Sequence, residues 1–184
     1  MEQKKIIVIE GSPRKHGSSD AVSDQFIKGA QEAGHSVQKI YLNTKHIHAC
    51  QGCRICRQRD GECIFKDDAG TVIQQIIDAD IFVFCSPIYF YSTSAQLKLL
   101  IDRTFAREAE IKNKTAYFIA SCAAPYEAPY QEFLDNAVNT FRGYLRCLEN
   151  VAEGGILLAD QTAMIENIED NPAYKKAYAM GLTV

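Results

Sequence analysis

The sequence is poor in the features that would send a chain into a membrane, onto a nucleic acid or out of the cell. No apolar run approaches the ~20 residues needed to span a bilayer. The formal net charge is only −3, which offers no bulk attraction to nucleic acid or to acidic membranes. Met1 to Lys5 lead into an apolar run without a signal peptide's long apolar core or small-residue cleavage site, so a cytoplasmic protein is expected. No internal repeat and no linker divides the 184 residues. One domain is therefore expected over residues 1–184, of a size that buries roughly 70% of its unfolded surface. With 47% hydrophobic and 23% charged residues, the composition is that of a globular chain. The 7 cysteines are an odd number, which argues against a complete disulfide framework.

Two common nucleotide signatures are also missing. The β-branched run Ile6-Ile7-Val8-Ile9 ends at Gly11-Ser12-Pro13-Arg14-Lys15-His16-Gly17-Ser18-Ser19, and a helical pattern begins at Asp20. His16 stands where a Walker A loop needs its second glycine, and no Gly-Lys-Ser follows. Ser12-Pro13 after Gly11 rules out the dinucleotide spacing G-x-G-x-x-G. What is left is a strand, a loop rich in hydroxyls and cations, and a helix N-terminus. Unpaired N–H groups at a helix start carry partial positive charge and favour an anion. Ser12, Ser18 and Ser19 can add hydroxyl donors, and Arg14 or Lys15 can add charge. A plain βα turn with surface cations is the competing reading.

The rest of the chain alternates strand and helix. Val22, Phe26, Ile27 and Ala30 fall at helical spacing up to Ala33, and Gly34 follows as a C′ stop. Ser36–Leu42 reads as a strand, Ala69–Ala79 as a helix, and Asp80–Ser86 as a strand buried on both faces. A helix over about Ser94–Arg103, a strand over Lys114–Cys122 and a helix within Pro129–Asn150 follow. Gly154–Leu158 suggests a fifth strand, and Pro172–Gly181 a last helix capped by Asn171. This is the pattern of a doubly wound α/β fold, a five-stranded parallel sheet with helices on both faces. Such folds bind ligands beyond the C-terminal strand ends, at the switch point beside the first strand. Three loops would meet there: Gly11–Ser19, Ser86–Ser94 and Ser121–Pro125. The first suits a phosphate, and the second brings Pro87, Tyr89, Phe90 and Tyr91. A flat ring system tethered to a phosphate fits between them, with FMN the leading candidate; core packing is the plainer reading of the aromatics.

Asn43–Asp68 exceeds the ~12–15 residues of an ordinary connection and carries Cys50, Cys53, Cys56 and Cys63. Three readings compete for these thiols. A [4Fe–4S] cluster matches the ligand count and the overlapping C-x2-C-x2-C spacing. Zinc more often draws on two separated C-x2-C knuckles. Thiols without metal, packed or redox-active, are the third. His46 and His48 read as surface residues of the loop. Cys85, Cys122 and Cys147 read as small buried hydrophobes.

Gly11-Ser12-Pro13-Arg14 with Gly17-Ser18-Ser19 resembles the phosphate loop of flavodoxin-like NAD(P)H-dependent FMN reductases. Ser86-Pro87-Ile88-Tyr89-Phe90-Tyr91, with Ser94–Lys98 and Ile101-Asp102-Arg103, resembles their flavin-ring loop and the helix after it. The cysteine spacing followed by Asp67-Asp68 is similar to the motif of the iron–sulfur flavoproteins in that superfamily. The resemblance covers nearly the whole chain, and it implies a flavodoxin-like fold with a cysteine-rich insertion at about 43–68. By it, Ser12, Arg14, Ser18 and Ser19 would hold the FMN phosphate. Pro87, Ile88, Tyr89 and Phe90 would contact the ring, largely through backbone, and Ser121, Cys122 and Ala123 would line its other side. It implies a flavin oxidoreductase that takes a hydride from NAD(P)H and reduces a quinone-like, nitro- or azo-aromatic acceptor. It also implies homodimers or homotetramers with flavin sites near subunit interfaces. No side chain is required as general acid or base; His16 and Tyr89 are the nearest candidates. An electron carrier docking to a redox protein, and a phosphate-binding module with structural zinc, are the rival functions.

Overall fold

The computed structural model describes residues 2–184. Five strands form the parallel sheet: β1 (Lys5–Glu10), β2 (Ser36–Tyr41), β3 (Ile81–Tyr89), β5 (Lys114–Ser121) and β6 (Val151–Ala159). Their spatial order is β2-β1-β3-β5-β6, and the two-residue β4 (Ser92–Thr93) turns back antiparallel onto the end of β3. The connecting helices are α1 (Ser18–Glu32), α2 (Ala69–Asp78), α3 (Ala95–Thr104), α4 (Gln131–Arg146) and α5 (Pro172–Leu182).

Alternation along β1 sorts the core into two layers. Ile7 and Ile9 face Val72 and Ile76 of α2, Leu100 of α3 and Phe141 of α4. Ile6 and Val8 face Val22 and Phe26 of α1 and Ala177 of α5. Helices thus cover both faces. On the second face Gly29 and Gly181 let α1 and α5 touch by backbone: a Cβ on Gly181 would stand 2.1 Å from the Phe26 carbonyl oxygen. Chain direction reverses in the strand order beside β1, so the loops after β1 and β3 leave on opposite sides of one crevice.

Several boundaries differ from the sequence reading. The helix expected from Asp20 starts at Ser18, because Gly17 adopts an extended N-cap conformation just before it. Strand β3 continues through Pro87 to Tyr89, where the sequence suggested a stop. Pro87 has the parity of Cys85, whose carbonyl accepts the Gly11 N–H at 2.8 Å on the β1 side. The N–H that proline lacks therefore points to where β1 has already ended, and no ladder bond is lost. Strand β6 starts at Val151, three residues before the expected Gly154, because an edge strand tolerates exposed residues such as Ala152 and Glu153. Gly154 lies against the Tyr117 ring, which a Cβ would approach to 2.4 Å. Helix α4 lies within the expected Pro129–Asn150. Asn171 caps α5 by accepting the Ala173 N–H at 2.9 Å, with Pro172 in the first turn, as expected. Among the described residues, no helix is long and apolar enough to cross a membrane.

Candidate functional site

The loop after β1 is locked by its neighbours before any ligand is considered. The Gly11 carbonyl accepts the Ser94 hydroxyl at 2.7 Å. A Cβ on Gly11 would meet Ser94 Oγ at 2.9 Å and Leu97 Cβ at 3.0 Å, so glycine allows the loop to lie against α3. Ser12 Oγ accepts the Arg14 N–H at 3.1 Å and closes a short turn. His16 takes a left-handed conformation, φ 60°, and its N–H donates to Asp20 at 2.6 Å. Gly17 then opens α1 with no side chain capping the first turn. That turn is a helix N-terminus with free donors. It borders a cleft of about 380 Å³ between Arg14, His16 and Ser18 on one side and Thr162, Ile165 and Asn167 on the other.

Of the four phosphate-loop candidates, Arg14 and Ser18 line this cleft. Ser12 and Ser19 are buried and do not line it, and the Ser19 hydroxyl donates to Glu10 Oε1 at 3.0 Å. Glu10 and Asp20, bonded to the loop and the first turn of α1, and Lys39, paired with Asp20, were not singled out by the sequence reading. Burial works to raise the Asp20 pKa, but Lys39 and the His16 N–H overcome it and hold the carboxyl below its usual range. Glu10 goes the other way: burial raises it, against the Ser12 N–H and Lys39. A carboxylate closing a strand directly before Gly-Ser was the available signal. The segment Asp160–Asn171, which walls the cleft from the β6 side, carried no motif.

The second loop is a hairpin. Tyr89 pairs with Ser92 across a two-residue turn in which Phe90 and Tyr91 both have positive φ, 48° and 61°. Such turns favour Asn-Gly, and a left-handed L-residue costs roughly 1–2 kcal/mol. Two aromatics are held there against that cost, and backbone strain of this kind concentrates at ligand clamps and active sites. Phe90 is fully exposed, and Tyr91 packs on Phe133 with ring centroids 5.1 Å apart. Below the turn, Ser86 Oγ accepts the Ser94 N–H at 2.9 Å. Thr93 Oγ1 is buried in this hairpin without a hydrogen-bond partner. Pro87 and Ile88 lie on β3 at the base of the turn, and Tyr89 is exposed beside them.

The third loop is pinned from both ends. The Cys122 N–H donates to Ala159 O at 2.9 Å, and its carbonyl accepts the Thr162 N–H and hydroxyl, each at 3.0 Å. Burial, with the nearby Asp160 charge, pushes the Cys122 thiol up to about 11, so it stays protonated near neutral pH. Ser121 is buried at the strand end, and Ala123 is exposed. Because β1, β3 and β5 are parallel neighbours, all three loops open at one sheet edge.

The cysteine-bearing segment is stapled at its stem. The Arg103 guanidinium reaches Asp67 with bonds of 2.7 and 3.1 Å and the His48 carbonyl at 2.9 Å. His48 precedes the first cysteine and Asp67 follows the last, so one cation from α3 gathers both ends. Burial would raise the Asp67 pKa; Arg103 and the His48 and Ala69 N–H groups override it and hold the carboxyl well below the usual range. His48 stacks on Phe65 at 4.6 Å and faces Asp67, so it belongs to the staple and not to the surface alone. Cys50, Cys53, Cys56 and Cys63 are free thiols lining one small, mostly apolar pocket beside Phe65 and Phe105. The donor set fits a thiolate-bound metal centre in kind. Among the described residues, however, no group of three or more His, Cys, Asp or Glu is arranged to hold a metal ion. Cys147 is exposed, contrary to the expectation of a buried side chain, because it lies just beyond the last turn of α4.

Comparison with known proteins places these features in a family. The model of the NADPH-dependent FMN reductases matches residues 4–149. An iron–sulfur flavoprotein of Archaeoglobus fulgidus is 34% identical over 99 residues, 54% of this chain and 44% of that protein. One from Methanosarcina thermophila is 29% identical over 113 residues, 60% of this chain and 59% of that protein. The chain thus spans about half the length of the iron–sulfur flavoproteins it matches. Among solved structures, an NAD(P)H:quinone oxidoreductase of Methanothermobacter marburgensis superposes with a TM-score of 0.77 at 18% identity, covering 99% of this chain and 96% of that one. An FMN-dependent NADH-azoreductase of Bacillus anthracis, in complex with FMN, gives 0.74 at 16% identity, covering 97% and 98%. At these identities the likeness establishes the flavodoxin-like fold.

Proposed function

The chain belongs to the NADPH-dependent FMN reductase family, and on that premise we propose that it is an FMN-dependent NAD(P)H oxidoreductase of one flavodoxin-like domain, with a cysteine-rich insertion at about 43–68. The observation that carries the reading is the uncapped start of α1, open to a cleft at the same sheet edge as a strained aromatic hairpin. The chemistry that FMN would supply when bound is hydride acceptance from the nicotinamide and electron delivery to a quinone-like, nitro- or azo-aromatic acceptor.

The chain's own residues supply binding, orientation and exclusion of water. Arg14, Ser18 and the free N–H groups of the first turn of α1 hold the phosphate, and Ser12 and Ser19 fix the loop that presents them. Pro87, Ile88, Tyr89 and Phe90 border the flavin ring through a backbone whose shape is set by the Ser86–Ser94 bond. Ser121, Cys122 and Ala123 form the opposite wall, where a thiol kept protonated adds no charge. No side chain is assigned as general acid or base. Cys50, Cys53, Cys56 and Cys63 are the residues that would hold an iron–sulfur cluster, a centre that supplies single-electron transfer when bound. The exposed Tyr91, Tyr126, Tyr130 and Phe133 form the surface on which a second copy of the chain would pack.

Purification without added cofactor, under anaerobic conditions, tests the reading directly. A flavin spectrum that bleaches on NADH or NADPH supports the enzyme. Bound flavin that neither nucleotide reduces supports a carrier instead, and no flavin with stoichiometric zinc supports a regulatory module. Arg14→Ala should weaken FMN binding by about 1.5–3 kcal/mol, the range for a hydrogen bond to a charged group; unchanged affinity refutes the cradle. Cys53→Ser should remove iron while leaving FMN bound, read as iron per flavin; iron content unaltered by that change refutes the ligand assignment.

A further inference from the structure

Glu10 has no part in the function just described, yet it lies directly under the cradle. It closes β1 with none of its surface exposed. Oε1 accepts the Ser12 N–H at 2.8 Å and the Ser19 hydroxyl at 3.0 Å, and the Ser23 hydroxyl faces Oε2 at 3.4 Å. Among the described residues Glu10 makes no ion pair: Lys39, whose charge acts on it, is engaged by Asp20 and Asp24. The groups around it are Asp20 from α1, Lys39 from β2 and the buried Cys85 thiol from β3. Arg14, Lys15 and His16 stand in the loop above.

We propose that entry of a phosphate monoester into the cradle draws a proton from solvent onto Glu10, and that the Ser19 hydroxyl then donates to the phosphate. The inference rests on the flavin reading, with FMN as the monoester. Its basis is competition for donors. Ser19 has one hydroxyl hydrogen, and an ionised Glu10, which can only accept, holds it. A phosphate arriving at the same loop brings like charge close to a carboxylate shut off from water, and such pairs resist ionising together. Protonation of Oε1 removes the repulsion. The new O–H can donate to Ser19 Oγ across the existing 3.0 Å contact, which frees the hydroxyl hydrogen for the anion. A buffer acid gives up the proton and is left as its conjugate base, and the carboxyl gains an O–H bond; no other covalent bond changes. Burial already biases the carboxyl toward its neutral form.

The test is calorimetric titration of the flavin-stripped full chain with FMN, between pH 6 and 8, in two buffers of different ionisation heat. Wild type should take up close to one proton more than Glu10→Gln within part of that range. Its affinity should fall by up to about tenfold per pH unit there, the limit for one linked proton, while Glu10→Gln stays flatter. The second ionisation of the phosphate, near pH ~6, and any response of His16 are common to both proteins and cancel. Riboflavin, which lacks the phosphate, checks the wild type independently of any folding defect and should bind without the uptake seen with FMN. Ser19→Ala should lose FMN affinity at the acid end of the range and little at the alkaline end. Equal proton counts for wild type and Glu10→Gln, or equal uptake with FMN and riboflavin, overturn the proposal and leave the flavin reading standing. Failure of the wild type to bind FMN overturns both.

Discussion

Replacing Asp67 with Asn keeps the size of the side chain and removes the charge that faces Arg103. Both side chains are nearly sealed from solvent, with 1% and 2% of their surface exposed. The guanidinium would keep its 2.9 Å bond to the His48 carbonyl and one amide oxygen, but it would lie buried without a counter-charge. Breaking a buried ion pair from one side typically costs 3–5 kcal/mol. The retained amide contact puts the expectation at the lower end, about 3 kcal/mol, a large share of the 5–15 kcal/mol that holds an ordinary domain together. Urea unfolding at pH 7 reads the loss as a lower midpoint at unchanged slope. Changing Arg103 to Met in the same protein should recover part of it, because the stranded cation is then gone and neighbouring effects do not add.

The pH dependence gives a second reading with a fixed sign. The folded pKa of Asp67 is depressed below the ordinary 3.8, so its stabilising contribution is complete above the unfolded value and fades as pH falls toward the folded one. The gap between wild type and Asp67→Asn should therefore be constant near neutrality and narrow below about pH 4. A loss under about 1 kcal/mol at pH 7, the size of an exposed pair, or a gap that ignores acid, refutes the buried staple.

Gly181→Ala should destabilise by about 1–3 kcal/mol or more, as overpacking does, because the new Cβ meets the Phe26 carbonyl at 2.1 Å and backbone cannot step aside. Gly70→Ala is its control: nothing lies within 4 Å of the added atom, and alanine in α2 should gain about 0.5–1 kcal/mol, both read by chemical denaturation. Phe90→Gly relieves a left-handed L-residue, φ 48°, and gives up no buried surface. After the entropy that glycine adds to the unfolded chain, the flavin-free protein should gain roughly 0.5–1 kcal/mol, or a few degrees in Tm; a lower Tm refutes the strain.

How much of this could be read from the sequence depended on where each constraint is written. The alternation of strands and helices and the cradle loop follow from local pattern: apolar runs, the Gly11–Ser19 chemistry and caps such as Asn171-Pro172. The hairpin at Phe90-Tyr91 was hidden because its turn residues contradict local preference, and only tertiary packing, Tyr91 on Phe133 among it, holds them. Glu10 is silent in the sequence, because a single charge ending a strand is unremarkable until Ser12, Ser19 and Ser23 are folded around it. Asp67 and Arg103 were visible as parts of motifs, but their partnership spans 36 residues of chain, and nothing local to either residue states it.

That partnership bears on how the two candidate centres relate. Helix α3 is capped by Ser94, whose hydroxyl grips the Gly11 carbonyl of the cradle. Its last turn carries Arg103, which holds both ends of the cysteine-bearing segment. At 1.5 Å per residue, the run of helix from Ser94 to Arg103 spans about 14 Å. Its inner side is fixed in the core by Leu97 and Leu100, both fully buried. A strut anchored at both ends and along its length does not let the cysteine segment drift relative to the cradle. The long connection between β2 and α2 is thus ordered by what it is tied to, and a group held by its thiols would keep a set distance from one held by the loop after β1.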